Sequence, residues 1–149
     1  MPLSAVVDAS ILVSAFLFPE SVPGQVLKRA SEARFEMHLS SYLIEETRRS
    51  LLNARLRKAY GHEEAAVQEW CSGLGRAGAL FSGVLPDIGP ACRDPDDDHV
   101  IALAVAVSAE AIITGDRDLL TLGQFQGVRM LTARAFLAQI GVSPTSGDG

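Results

Sequence analysis

The stretch that decides the fold runs over residues 96–116 and reads Asp-Asp-Asp-His-Val-Ile-Ala-Leu-Ala-Val-Ala-Val-Ser-Ala-Glu-Ala-Ile-Ile-Thr-Gly-Asp. Acids crowd its start, where they suit the positive end of a helix dipole, and apolar residues follow at helical spacing. This pattern predicts a helix over 96–108. The apolar run at 111–114 then predicts a buried strand that ends at Gly115 and Asp116. A helix that leads directly into a buried strand is typical of an α/β protein.

The same alternation extends along the rest of the chain. Strands are predicted at 4–8, 35–39, 81–85 and 128–131, and helices at 10–18, 25–34, 41–52, 62–80 and 133–140. Proline and glycine at 19–24 predict a turn, and 117–122 reads as another short turn. The expected fold is therefore a three-layer α/β/α domain around a central, mainly parallel sheet. We expect one domain over residues 1–141 and a flexible polar tail over 142–149.

Composition narrows the class of protein. The chain has 149 residues, of which 48% are hydrophobic, so it can bury a core without disulfides or a structural metal. No apolar run reaches the roughly 18 residues that a membrane span needs. The apolar segment 3–18 contains Asp8 and lacks a basic start and a cleavage site, so a cytoplasmic protein with no membrane partner is expected. The two cysteines do not have CxxC spacing, which argues against a zinc ribbon.

Charge is distributed unevenly. The net charge is −5, yet residues 27–60 contain eight Lys and Arg against four acids, a local balance of 8 − 4 = +4. Much of the negative charge instead lies in Asp94 and the acids at 96–98. We interpret Asp94, Asp96 and Asp97 as residues that cap a helix and solvate a loop.

Four other acids occupy positions that suit a catalytic or metal-binding site. Asp8 ends the first strand, Asp116 follows a later strand, Asp98 lies in the first turn of a helix, and Glu46 lies on the core-facing side of another helix. Ligands of open α/β sheets collect at the carboxyl ends of strands. Four converging carboxylates repel one another unless a cation is bound. Oxygen ligands without His or Cys suit Mg²⁺ or Mn²⁺ rather than Zn²⁺.

These residues carry a resemblance to a known family. The segments Val-Val-Asp8-Ala-Ser10, Leu-Ile-Glu45-Glu46, the run from Arg93 to Ala104, and Ile-Ile-Thr-Gly-Asp116-Arg-Asp-Leu-Leu resemble those of a PIN domain. The resemblance covers residues 4–140. It is closest to the bacterial subgroup with an Arg-Asp-Pro-x-Asp-Asp segment, which is often classed as the toxin of a toxin–antitoxin pair (VapC-like).

The resemblance implies a set of site residues. Its four acids correspond here to Asp8, Glu46, Asp98 and Asp116, of which Asp8, Asp98 and Asp116 would hold the metal directly. Supporting roles correspond to Ser10, Thr114 and Asp118. Glu45 remains an alternative to Glu46, because Thr47 departs from the leucine that members usually have after the second acid.

The resemblance also implies an activity and partners. Family members are metal-dependent ribonucleases, in which a metal-activated water would attack a backbone phosphate. RNA would be the substrate, a cognate antitoxin protein would block the acidic cleft, and a homodimer is expected. From the residues themselves, the basic segment near 48–58 would hold RNA through four arginines, because Arg pairs well with phosphate. They are Arg48, Arg49, Arg55 and Arg57.

Other classes explain the residues less well. A receiver-type signalling domain needs a lysine after a late strand, and the lysines here are Lys28 and Lys58. A phosphatase of the haloacid dehalogenase type needs Asp-x-Asp after the first strand, and Ser10 stands where the second Asp would be. A non-catalytic binding module with the same fold stays open, as does a DNA nuclease, since nothing in the residues reports recognition of the ribose 2′-hydroxyl.

Overall fold

The computed structural model describes residues 3–90 and 95–142, apart from the side chain of Asp96. Its strands are β1 (Ser4–Val7), β2 (Glu36–Ser40), β3 (Ala79–Phe81), β4 (Ala111–Ile113), β5 (Gln124–Phe125) and β6 (Val128–Leu131). Its helices are α1 (Ala9–Leu17), α2 (Val22–Ser31), α3 (Ser41–Leu51), α4 (Ala54–Tyr60), α5 (Glu64–Ala77), α6 (Pro95–Ala106), α7 (Arg117–Leu122) and α8 (Ala133–Gln139).

The strands form one sheet in the order β3-β2-β1-β4-β6-β5. All neighbouring pairs are parallel except β5 with β6. The chain builds the sheet outward from β1 in one direction through β2 and β3, and then returns to the other side of β1 with β4. The carboxyl ends of β1 and β4, where Val7 pairs with Ile113, therefore form the switch point of the sheet. Ligand sites of open α/β sheets lie at such a point.

The sheet is covered on both faces because its central strands alternate in the direction of their side chains. Ala5 and Val7 of β1 pack into one apolar cluster, to which α1, α2 and α8 contribute. Val6 points the other way, into a second cluster that contains residues of α6 and α7. The predicted three-layer α/β/α fold is confirmed.

Several element boundaries differ from those predicted. The helix expected to start after the turn at 19–24 begins at Val22, because Pro23 is tolerated in a first helical turn and Ser21 caps the helix through Gly24 N at 3.3 Å. The strand predicted at 81–85 is β3, which lies two residues earlier and is shorter. Residues 117–122 form α7 rather than a simple turn, because Asp116 accepts hydrogen bonds from Asp118 N and Leu119 N.

Part of the prediction lies outside the described residues. This holds for Asp94 and for the tail from residue 143 onward. The extent of the domain, 1–141, stays a prediction. Within the described part of the chain, no single helix is long and apolar enough to cross a bilayer; α1 and α2 reach that length and hydropathy only together, across a bend of 99°.

Candidate metal centre

Asp8 lies at the junction between β1 and α1, at the switch point of the sheet. Its backbone N–H donates to Ile113 O at 3.0 Å, which ties it to the end of β4. Its carboxylate Oδ1 accepts a hydrogen bond from Ala9 N at 2.9 Å and so caps α1. The side chain is held firmly and is only 7% exposed.

Two hydroxyl groups fix the second oxygen of Asp8. Oδ2 accepts from Thr114 Oγ1 at 2.8 Å and from Ser10 Oγ at 3.0 Å. The same hydroxyl oxygens accept hydrogen bonds from the loop after β4, from Asp116 N at 2.9 Å and from Gly115 N at 3.1 Å respectively. Ser10 and Thr114, predicted to support the site, therefore connect Asp8 to the loop that carries Asp116.

The surroundings of Asp8 disfavour its negative charge. Burial raises the pKa of the Asp8 carboxyl above its ordinary value of 3.8, and the Asp116 carboxylate adds to this effect. The hydrogen bonds from Thr114, Ser10 and Ala9 lower the pKa, but they do not outweigh burial. A cation beside Asp8 would remove this electrostatic penalty.

Three further carboxylates lie close together, and two of them share a pocket with Asp8. Asp116 caps α7 through one oxygen, which accepts from Asp118 N at 2.8 Å. Oxygens of Asp97, Asp116 and Asp118 lie within 4.8 Å of one another. Asp97 is buried, Asp116 is half-buried and Asp118 is exposed, so the group runs from the interior to solvent. Asp8, Asp97 and Asp116 also line one pocket of about 770 Å³.

The structure brings Asp97 to this pocket, where the sequence analysis placed Asp98. Asp97 is buried and lines the pocket, whereas Asp98 is half-buried. Asp98 is not among the described residues that line the pocket. The described pocket wall therefore contains Asp97, to which the sequence analysis gave a capping role, and not Asp98, whose metal role stays a prediction.

Glu46 lies on the pocket wall, and Glu45 does not contribute to that wall in the described structure. Glu45 is exposed and its carboxylate pairs with Arg48, whose Nε donates to Oε2 at 2.8 Å. Glu46 is half-buried on α3, next to the buried Thr47. The geometry favours Glu46 of the two alternatives. Ser50, Asn53 and Leu56, which the sequence analysis did not single out, line the same wall.

Comparison with known proteins assigns the family. A family model described as PIN domain matches residues 4–118, a span that contains every acid of the pocket. The chain belongs to the PIN domain family. An uncharacterized protein of Methanocaldococcus jannaschii is 30% identical to it over 125 residues, which cover 80% of this chain and 75% of that protein. The solved PIN domain of T. brucei RRP44 aligns with a TM-score of 0.44 and 18% identity, over 93% of this chain and 79% of that one.

PIN domains are nucleases, so membership implies a hydrolase that acts on nucleic acid and uses a divalent metal ion. The carboxylates of this PIN domain fit such an ion. One ligand oxygen each of Asp97, Asp116 and Asp118 lies within 4.8 Å of the other two, so a single cation could contact all three. The donors are all oxygen, which suits a hard cation.

The arginines expected to hold RNA have different surroundings in this PIN domain. Arg55 lines the pocket beside the acids. Arg48 is paired with Glu45, and Arg57 Nε donates to His62 O at 3.4 Å. Arg49 is exposed on α3. Of the four, Arg55 is the one that lines the pocket in the described structure.

Proposed function

We propose that this PIN domain is a metal-dependent endoribonuclease that hydrolyses RNA phosphodiesters. The observation that carries the proposal is the meeting of Asp97, Asp116 and Asp118, the first two of which share a pocket with the buried Asp8 at the switch point of the sheet. Carboxylates held this close repel one another, which a bound cation would relieve, and the pocket of about 770 Å³, which Arg55 also lines, offers space for a phosphodiester.

Each residue has a part that follows from its contacts. Asp8, Asp97 and Asp116 would hold Mg²⁺ or Mn²⁺, with Asp118 at the solvent side and Glu46 as a further carboxylate that lines the same pocket. Ser10 and Thr114 keep Asp8 in place by donating to one of its oxygens. When bound, the ion supplies an acidic water and stabilises negative charge on the phosphate. Arg55 would neutralise a phosphate as the strand enters.

We further propose that the protein is the toxin of a type II toxin–antitoxin pair and acts in the cytoplasm as a homodimer. The Asp-Pro-Asp-Asp-Asp run at residues 94–98 supports this proposal, because it is similar to the motif of the bacterial toxin subgroup. A cognate antitoxin would block the acidic pocket, for example by placing an arginine among the carboxylates. Expression of the wild type in a bacterial host should arrest growth, and expression of Asp8→Asn should not.

The deciding experiment measures RNA cleavage by purified protein with Mn²⁺ and with EDTA. Asp8→Asn removes a ligand charge but retains an oxygen that can accept from Ala9 N, so the fold is expected to remain. Cleavage that needs both Mn²⁺ and Asp8 supports the nuclease. Full activity of Asp8→Asn contradicts the site assignment, and the absence of both cleavage and Mn²⁺-induced stabilisation favours a non-catalytic binding module.

A further inference from the structure

Helix α4 is positively charged and extends along the surface from the acidic pocket. It has the sequence Ala-Arg-Leu-Arg-Lys-Ala-Tyr, with three basic residues and no acid. None of its residues is buried. Asn53, Arg55 and Leu56, at the start of the helix, line the pocket. A polyanion that leaves the pocket along α4 would therefore meet favourable charge over the whole helix.

An exposed aromatic pair lies at the far end of this helix. The rings of Phe18 and Tyr60 meet edge to face, with centroids 5.4 Å apart and an interplanar angle of 85°. The two residues stay 46% and 52% exposed. Tyr60 follows Leu56 by four residues, so it lies on the same face of α4, about 6 Å further along the axis. The pair is thus one helical turn beyond the pocket.

An apolar floor joins the pocket to the pair. Val13 and Leu56 line the pocket and belong, with Leu17, to one partly buried apolar cluster. Phe18 directly follows Leu17. The backbone at Phe18 packs closely against Gly24. A Cβ added to Gly24 would lie 3.0 Å from Phe18 O and 2.1 Å from Pro19 O. The surface that carries the aromatic pair is therefore built into the fold.

We propose that Phe18 and Tyr60 form a stacking platform for an unpaired base of RNA whose backbone passes along α4 into the acidic pocket. An edge-to-face pair leaves at least one ring with faces clear of its partner, and a base can stack there. Because α4 is positively charged beside the pair, an anionic phosphate backbone is a better partner for this surface than an apolar protein segment would be. The bases of a duplex are already stacked, so the platform selects single-stranded RNA. This inference rests on the proposed nuclease function.

The test compares the binding of a labelled ten-nucleotide single-stranded RNA with that of the matching duplex, by fluorescence anisotropy in EDTA. Tyr60→Ala should weaken single-strand binding by about 5- to 100-fold, the effect expected for loss of one base–aromatic stack. Tyr60→Leu keeps apolar contact with Phe18 but has no aromatic face, so it should weaken binding too. Tyr60→Phe should bind like the wild type. Duplex affinity should change by less than about twofold in all of them, since a duplex offers no unstacked base.

Controls separate stacking from charge and from folding. Leu80→Ala removes a side chain that is 49% exposed on β3, and it should leave both affinities unchanged. The slope of affinity against salt should stay the same in Tyr60→Ala, because no phosphate contact is lost. Thermal melting of each variant reports whether the fold is kept, and Phe18→Ala provides a second probe of the same platform.

Three results would overturn the inference. They are wild-type single-strand binding by Tyr60→Leu, equal losses for single strand and duplex, and unchanged RNA affinity accompanied by loss of a dimer in light scattering. The last result would assign the pair to an interface between copies of this chain. Cleavage with Mn²⁺ is measured separately. If the wild type cleaves RNA and Tyr60→Ala binds and cleaves it equally well, the platform is refuted and the nuclease function is not. If single-strand binding requires Tyr60 but the wild type does not cleave RNA, the nuclease function is refuted and the platform is not.

Discussion

Asp8 accepts three hydrogen bonds, from Ala9, Ser10 and Thr114, yet it lies buried beside Asp116. The hydrogen bonds stabilise its charged form, and burial opposes that form more strongly, so the pKa is raised. A folded state that holds this proton more tightly than the unfolded chain loses the corresponding stability as the pH rises through the folded-state pKa. In the absence of metal, the residue that defines the site therefore weakens the fold at neutral pH.

Replacing Asp8 by Asn should reveal this cost as a pH-dependent difference in melting temperature. The amide does not titrate, so the variant should gain on the wild type as the pH rises from below 3.8 to 7 in EDTA. The measurement is thermal unfolding of both proteins across that range. A difference that stays constant with pH would contradict a raised pKa at Asp8. Glu20→Gln serves as the control at an exposed position that does not line the pocket.

Asp97 and Asp98 can be distinguished by matched substitutions. We expect Asp97→Asn to lower metal-dependent RNA cleavage by about 100-fold or more, because loss of a metal ligand removes several kcal/mol of stabilisation from the transition state. Asp98→Asn should stay within a few-fold of the wild type, since its side chain lies outside the pocket wall. The reverse order of the two variants would restore Asp98 as the ligand. Melting curves of both show that neither has unfolded.

Spacing alone did not distinguish Asp97 from Asp98. Asp97 precedes the buried Val100 and Ile101 by three and four residues, and Asp98 precedes the buried Ile101 and Ala102 by the same spacing. An acid on a core-facing stripe is costly unless it has a partner or a metal. Only the assembled structure shows that Asp97, in the middle of three consecutive acids, is buried and lines the pocket. The order of Asp8, Glu46 and Asp116 along the chain was clear, because each of them follows a strong strand or helix pattern.

Among the elements, those with a clear apolar pattern were predicted, and those without one were not. The apolar patterns of β1, β4, β6 and α6 gave their positions to within a few residues. Helix α4 was not predicted, because its segment is polar and basic and only Asn53, whose side chain accepts from Arg55 N at 2.9 Å, marks its start. The two-residue β5 depends on pairing with β6, which no local pattern encodes.

Two glycine substitutions in different helices should have opposite effects on the unfolding free energy. Gly24→Ala would place a Cβ 2.1 Å from Pro19 O, so the turn must shift and we expect a loss of about 1–3 kcal/mol in unfolding free energy. Gly75→Ala in α5 meets nothing within 4 Å and should gain up to about 1 kcal/mol, since Ala favours helix more than Gly does. Urea denaturation of both variants measures the two changes. A neutral Gly24→Ala would mean that the close approach is not rigid.

The basic residues of α3 and α4 should differ in their contribution to RNA binding. Arg55→Gln should reduce the slope of log affinity against log salt by about 0.7, the value for one phosphate contact on a single strand. Arg48→Gln should change the slope less, because Arg48 is already paired with Glu45. Anisotropy titrations at several salt concentrations provide both slopes. Equal slopes in the two variants would place the RNA elsewhere on the surface.

At the scale of the whole molecule, the fold class followed from the alternation of strands and helices, but the order of strands in the sheet did not. The neighbours β1 and β4 are more than one hundred residues apart, and their pairing depends on packing on both faces rather than on a local pattern. The site inherits this long-range origin, because Thr114 reaches Asp8 across the same gap. The sequence thus predicted which acids to suspect, and only the assembled sheet shows which of them meet.

Metal binding should stabilise the molecule as a whole, because the ion binds only where the folded sheet brings the carboxylates together. Mn²⁺ at about 100 times its dissociation constant adds about 2.7 kcal/mol to the unfolding free energy. For a chain of this size that corresponds to a rise of about 5–10 °C in melting temperature. The rise should shrink in Asp97→Asn and Asp8→Asn and persist in Glu45→Gln, whose carboxylate lies outside the pocket and pairs with Arg48. An equal rise in all three variants would show that Mn²⁺ binds elsewhere, and no rise in the wild type would show that the acids do not form a metal site.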